Sequence, residues 1–250
     1  MPSLRFAAPE ERRVAIITGG ARGIGQATAL RLAEAGRDVV IADMLEDEGA
    51  ETVRETEALD QRALFIKTDV SDEIAVKAMV AKAVESFGRL DILVCCAGVL
   101  GKETPFLEQS TEEMDRIIRI NLYGVYYAHQ VAIPYMLERG WGRCLTITSA
   151  ARFGTPFFTP YAISKGAVWS LVRSLGGHFA KDGVFVNGLE PGRTLTEMVT
   201  PRFSKEFLDH PGGPLGRYAH SEEIAEVIEY LVSERNTFAT GAIWDVKGGL

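Results

Sequence analysis

The sequence predicts an α/β fold, a doubly wound seven-stranded parallel sheet with helices on both faces. Three observations carry that prediction. Short apolar runs alternate with longer amphipathic stretches from end to end, as strand–helix–strand units require. Several of the runs are solidly apolar, which suits parallel strands covered on both faces. A glycine-rich turn joins the first run directly to the first amphipathic stretch, as in Rossmann-like folds.

The runs read as strands are Val14–Thr18, Val39–Ala42, Ala63–Ile66, Ile92–Cys96, Cys144–Thr148, Val184–Leu189 and Ala242–Val246. Each is too short to be a helix. The helices are expected near 24–35, 46–59, 71–87, 111–139, 161–181 and 221–233. Ser71 before Asp72–Glu73 and Ser221 before Glu222–Glu223 resemble N-caps followed by acidic first turns. Residues 190–220 are irregular, with Pro191, Pro201, Pro211, Pro214 and four glycines. A loop that long in a compact domain is expected to act as a lid or substrate-binding loop. No linker, repeat or low-complexity tract divides the chain, so one domain over 1–250 is expected.

The 250 residues are 46% hydrophobic and 24% charged, ordinary globular values that exclude fibrous and disordered classes. A net charge of −7 gives no broad attraction to nucleic acid or anionic lipid. The longest apolar stretch, Ile92–Leu100, is far below the ~20 residues of a membrane span. The first dozen residues lack a signal core, so a soluble, cytoplasmic protein is expected. The three cysteines form no disulfide framework and no zinc spacing. His129, His178, His210 and His220 are scattered without a metal motif, so no metal is expected.

Chemistry begins at Thr18-Gly19-Gly20-Ala21-Arg22-Gly23-Ile24-Gly25. Glycines between a strand and a helix let the backbone approach a pyrophosphate, whose charge then rests on the helix N-terminus. Asp43 ends the second strand 18 residues after Gly25, where an acid reaches the adenosine ribose hydroxyls of NAD. A carboxylate there also repels the extra phosphate of NADP. Two unit charges about 4 Å apart near a surface interact by roughly 4 kcal/mol, enough to decide the choice. Arg22 argues the other way, since it could pair with that phosphate or simply be a solvated loop charge. Asp43 outweighs it, so NAD is expected and NADP is the lesser reading.

A second element is Tyr161-Ala162-Ile163-Ser164-Lys165. Positions i and i+4 share one helical face. A neighbouring ammonium favours the phenolate of a tyrosine whose ordinary pKa is about 10. Tyr161 is therefore a candidate general base for alcohol oxidation and general acid for carbonyl reduction.

With these motifs in order, the chain resembles the short-chain dehydrogenase/reductase family in its single-domain branch, over essentially its whole length. Asp69-Val70 after the third strand, Ala97-Gly98 after the fourth, Asn121 in the long helix and Pro191-Gly192 with Thr196 after the sixth agree with that pattern. The resemblance implies that Gly19, Arg22, Gly23, Ile24, Gly25, Asp43, Asp69, Val70, Ala97 and Gly98 bind the cofactor. It implies that Ser149 bonds the substrate oxygen, Lys165 holds the nicotinamide ribose, and Asn121 anchors a water on the proton path. Thr194 and Thr196, after Pro191-Gly192, would fix the nicotinamide carboxamide. It also implies a homotetramer, with a dimer as runner-up, paired through the helices near 111–139 and 161–181.

Three departures stand out. Cys95-Cys96-Ala97-Gly98 replaces the usual Asn-Asn-Ala-Gly, and two small buried thiols read as packing. Lys247 stands where an aspartate usually precedes the closing glycines, which points to an altered subunit contact. The Ser149–Tyr161 interval is one residue short of the commonest form, which leaves Thr148 as a rival to Ser149.

By the same analogy the substrate is bordered by Arg152, Phe153, Phe157, Phe158, Arg193, Met198, Phe203, Phe207 and Lys102. The aromatics suit a bulky secondary alcohol or are lid packing. Arg193 suits a hydroxyl-rich or anionic substrate or faces solvent. The function that results is an NAD-linked dehydrogenase acting on a small-molecule secondary alcohol, whether a sugar, a polyol or a hydrophobic or aryl alcohol. The second reading, a 3-oxoacyl-carrier-protein reductase, would prefer NADPH and a basic docking surface. A sugar-nucleotide epimerase needs a longer C-terminal region, and a non-catalytic nucleotide-binding scaffold is expected to have lost Asn121, Ser149, Tyr161 or Lys165.

Overall fold

The computed structural model describes residues 12–196 and 213–249. Its centre is a seven-stranded sheet of order β3-β2-β1-β4-β5-β6-β7. The strands are β1 (Val14–Thr18), β2 (Asp38–Asp43), β3 (Ala63–Lys67), β4 (Ile92–Cys95), β5 (Gly142–Ile147), β6 (Val184–Pro191) and β7 (Ile243–Val246). Every pairing is parallel. All seven expected strands form, β1 with the expected bounds and the others with ends shifted by at most two residues.

The helices are α1 (Gly23–Glu34), α2 (Glu46–Glu57), α3 (Glu73–Phe87), α4 (Thr111–Ile118), α5 (Gly124–Glu138), α6 (Thr159–His178) and α7 (Ser221–Val232). Alternate strand residues feed two cores. Val14, Ile16, Val40, Leu93, Val184 and Val186 pack under α3, α5 and α6 with Met79, Ala128, Val168 and Val172. Ala15, Ile17, Val39, Ile41, Val94 and Leu189 face α1 and α7 with Leu32, Ile224 and Ile228. Both sheet faces are thus dry, which is why the strand runs are continuously apolar. Among the described residues no helix is long and apolar enough to cross a membrane.

Local expectations need four corrections. Asp72, not Ser71, caps α3: its carboxylate accepts from Ile74 N at 2.8 Å, while Ser71 Oγ donates to Asp69 at 2.7 Å. Ser221 is the first residue inside α7, and His220 precedes it, its N–H donating to Glu223 Oε2 at 2.9 Å. The stretch 111–139 is not one α-helix, because a π-helical turn at Arg119–Tyr123 separates α4 from α5. Helix α6 stops at His178 and a short 3₁₀ turn, Ala180–Asp182, follows.

The strand order reverses between β1 and β4, so their C-terminal ends open a crevice. In open parallel sheets that switch point is where a ligand fits.

Candidate active site

The glycine turn is built for close approach. Gly19 has φ +69°, and a Cβ there would lie 2.6 Å from Ala97 N. A Cβ on Gly25 would meet Gly19 O at 1.9 Å. The turn is pinned to both neighbouring strands: Gly19 N donates to Ala42 O at 2.8 Å, and Cys96 N to Thr18 O at 3.0 Å. Helix α1 has no side-chain cap at Arg22, so its first-turn N–H groups suit a phosphate. Ile24 packs on the α1–α7 core behind them.

Asp43 ends β2 beside this turn. Its Oδ2 accepts from Ala21 N at 3.1 Å and its Oδ1 from Met44 N at 2.7 Å. The carboxylate is therefore aimed before any ribose arrives. Asp69 is exposed, whereas Val70 is buried against Gly124, where a Cβ would lie 2.9 Å from the Val70 side chain. Val70 offers a cofactor only its backbone. The glycine cradle, the uncapped helix end and the pre-aimed Asp43 together fit an adenine dinucleotide.

Beyond Gly98 the four candidate catalytic side chains converge. A Cβ on Gly98 would sit 3.3 Å from Asn121 Oδ1 and 3.9 Å from Lys165 Nζ. Asn121 lies in the π turn, where Gly124 N donates to Arg119 O, one residue further back than in an α-helix. Its Oδ1 accepts from Val99 N at 2.8 Å, and its Nδ2 donates to Val99 O at 2.9 Å and Ser164 Oγ at 3.1 Å. Both amide donors are occupied, so the side chain ties the β4 loop to α6.

Lys165 is buried and donates to Ile147 O at 2.8 Å, with Nζ 5.6 Å from the centroid of the Tyr161 ring. Burial pulls its pKa down to about 8. Tyr161 departs from the sequence expectation of a depressed pKa. Burial pushes its phenol above the ordinary tyrosine value, and the hydrogen bond to Ser149 only partly offsets this. Thr148 and Ser149 have different partners. Thr148 Oγ1 is buried and donates to Leu189 O at 3.1 Å, while Ser149 caps a 3₁₀ turn at Ala150–Phe153 and reaches Tyr161.

The loop after β6 begins at Pro191-Gly192, with Gly192 N donating to Val246 O at 2.8 Å. Thr194 is buried, its hydroxyl donates to Gly192 O at 3.1 Å, and it forms a bridge to Ala219. Thr196 is half-buried further along the same loop, and Arg193 is exposed. Met198, Phe203 and Phe207 lie outside the described residues. Phe153 is 79% exposed, beneath it Arg152 stacks at 4.1 Å, and Phe157 holds φ +65°.

Lys247 forms ion pairs with Glu190 and Asp245 of its own chain. Arg152, expected at the substrate border, donates to Glu190 Oε2 at 2.9 Å. Sequence reasoning missed Glu190, a fully buried carboxylate, and Ser164, the partner of Asn121. The signal for Glu190 was a single acid near the end of a largely apolar strand. Cys95 is buried and Cys96 half-buried, and burial pushes the Cys95 thiol up to about 12, which suits packing.

A family profile described as enoyl-(acyl carrier protein) reductase matches residues 19–250. A 2-dehydro-3-deoxy-L-rhamnonate dehydrogenase (NAD(+)) from Sphingomonas sp. (strain SKA58) is 35% identical, over 98% of this chain and 97% of that protein. A cis-4-hydroxycyclohexanecarboxylate dehydrogenase from Sinomonas cyclohexanicum is 37% identical, over 95% and 96%. The crystal structure of levodione reductase superposes with a TM-score of 0.89 at 30% identity, covering 94% of this chain and 96% of the other.

Proposed function

The chain belongs to the short-chain dehydrogenase/reductase family, and from that premise we propose that it interconverts a secondary alcohol and its carbonyl using NAD(H). The observation that carries this reading is the convergence of Ser149, Tyr161, Lys165 and Asn121 just beyond Gly98, beside a dinucleotide cradle. When bound, the nicotinamide supplies the hydride donor or acceptor. The chain's own groups handle the proton and the orientation.

Ser149 and the Tyr161 hydroxyl bond the reacting oxygen. In reduction the Tyr161 phenol donates its proton to that oxygen, and in oxidation the same oxygen's proton passes to Tyr161. Lys165, charged below about pH 8, supplies the nearby positive charge that favours phenolate. Asn121 acts by holding the β4 loop against α6, and a water on the proton path would rest on the π turn's backbone, since both amide donors are used. Asp43 selects NAD over NADP, with Gly19, Arg22, Gly23, Ile24, Gly25 and Asp69 around the rest of the adenosine diphosphate. Pro191, Gly192, Thr194 and Thr196 hold the nicotinamide end.

The substrate is a small secondary alcohol, polar or ring-bearing, bordered by Arg152, Phe153 and Arg193, with Met198 carried over from the family resemblance alone. The relatives' names, an aldonate derivative and a hydroxycyclohexanecarboxylate, support both possibilities. The test is purified protein with NAD against sugars, polyols and alkyl or aryl secondary alcohols, following reduced nicotinamide. Turnover is expected in at least one class. Failure of the protein to bind NADH would overturn the reading.

The assembly is a homotetramer. Tyr126, Ile163 and Trp169 are exposed apolar side chains on α5 and α6, and they supply surface for pairing. Light scattering at micromolar concentration should give four times the 27.3 kDa chain mass. The free thiols of Cys95, Cys96 and Cys144 support a reducing, cytoplasmic location.

A further inference from the structure

Glu190 is the penultimate residue of β6, and its side chain is 0% exposed. Strand parity places it on the same sheet face as Val184 and Val186, the face that packs against α6, which carries Tyr161 and Lys165. A buried carboxylate needs partners, and this one has two cations from two other segments. Arg152 of the turn capped by Ser149 donates to its Oε2 at 2.9 Å, and Lys247, just after β7, pairs with its Oε1. Both cations are themselves mostly buried, 14% and 13% exposed, so water screens the cluster little.

The cluster joins the segments that frame the reacting centre. Three residues before Arg152 is Ser149, beside Tyr161. Immediately after Glu190 comes Pro191-Gly192, the root of the loop bearing Thr194. Lys247 backs that root directly: a Cβ on Gly192 would lie 2.8 Å from Lys247 Cα. We propose that Glu190 is a positioning residue for hydride transfer, which holds the Ser149 turn through Arg152 and the nicotinamide loop through Lys247. The inference rests on the dehydrogenase reading above. It differs from a plain stability role because the adenosine end of the dinucleotide, bound at Gly19–Gly25 and Asp43, lies on strands the cluster does not touch.

The experiment compares binding of NADH and of ADP-ribose, which lacks the nicotinamide, to wild type, Glu190→Gln and the double variant Glu190→Gln/Lys247→Met. Thermal melting and steady-state kinetics accompany it. The double variant removes one charge of each sign, so it remains informative if Glu190→Gln alone folds poorly. The expected result is at least a fivefold loss of NADH affinity with less than a twofold change for ADP-ribose. In the double variant the melting temperature returns toward wild type, yet kcat stays at least tenfold down.

Equal losses for the two ligands would assign Glu190 a merely structural role and overturn the proposal. Wild-type NADH affinity and kcat in the double variant would overturn it as well, while leaving the dehydrogenase reading standing. Wild-type protein that binds ADP-ribose and NADH equally weakly would instead bring down the dehydrogenase reading and this inference with it.

Discussion

At Tyr161, opposing effects act on one proton. Burial raises the phenol's pKa above its usual value, the Ser149 hydrogen bond lowers it, and the Lys165 ammonium sits 5.6 Å from the ring. Because burial wins in the free protein, the phenol is ready as an acid, and alcohol oxidation should accelerate as pH rises toward about 8, where Lys165 still carries its charge. A pH–rate profile checks this, and oxidation that slows as pH rises between about 6 and 8 contradicts it. Tyr161→Phe should fold and bind NADH normally while losing about 10²–10⁴ in kcat. Lys165 gives a separate thermodynamic signature. Its folded pKa of about 8 lies below the ordinary 10.5, so between those values the unfolded chain binds more protons. Stability therefore rises with pH across that window, by up to about 3 kcal/mol, and Lys165→Met should abolish the rise in urea titrations. Asp43→Ser should shift preference from NADH toward NADPH at least tenfold, since it removes a repulsion of roughly 4 kcal/mol at 4 Å. Unchanged selectivity in a binding titration would remove Asp43 from that role. Residue types and spacing were enough to select Tyr161, Lys165 and Asp43. The balance at Tyr161 was not legible, because desolvation depends on atoms distant in the chain.

Elements turn these residues into a site by backbone geometry. Gly25→Ala places a Cβ 1.9 Å from Gly19 O, inside any tolerable contact, so the turn must open. The variant should lose most of its NADH affinity yet keep its far-ultraviolet circular dichroism, because the clash lies in one loop. Phe157 shows a different constraint. Its φ of +65° is held by its carbonyl, which accepts from Thr104 N at 3.1 Å and Gln109 Nε2 at 3.3 Å. A left-handed non-glycine costs about 1–2 kcal/mol, so Phe157→Gly should be more stable than Phe157→Ala by about 1 kcal/mol in chemical denaturation. Strands and most helices were legible here because their apolar periods are local. The π turn at Arg119–Tyr123 was not: the stretch 111–139 has a helical pattern throughout, and a one-residue change of hydrogen-bond register leaves that pattern intact. Yet that turn holds Asn121 where it meets Val99 and Ser164.

On the scale of the molecule the sheet has a reactive end and a structural end. At the N-terminal ends of the strands Asp91 is fully buried, accepting from Arg13 at 3.1 Å, Arg89 at 2.7 Å and Val14 N at 2.9 Å. Asp91→Ala leaves these donors without their acceptor and should cost about 3–5 kcal/mol in urea unfolding, with kcat at low denaturant nearly unchanged. Two buried carboxylates thus tie strands together at opposite ends, Asp91 for stability and Glu190 beside the site. By itself the sequence determined the sheet, most of its helices, the glycine turn and the Tyr161–Lys165 pair, because alternation, turn chemistry and i,i+4 spacing are written within a few residues of each other, whereas Asn121 and Ser149 came only with the family resemblance. Only the tertiary structure decided what Lys247 and Arg152 do, since both meet Glu190 across strands distant in sequence. The same holds for the raised phenol of Tyr161 and the commitment of the Asn121 amide. Burial and pairing between distant segments are properties of the packed molecule, and no local pattern encodes them.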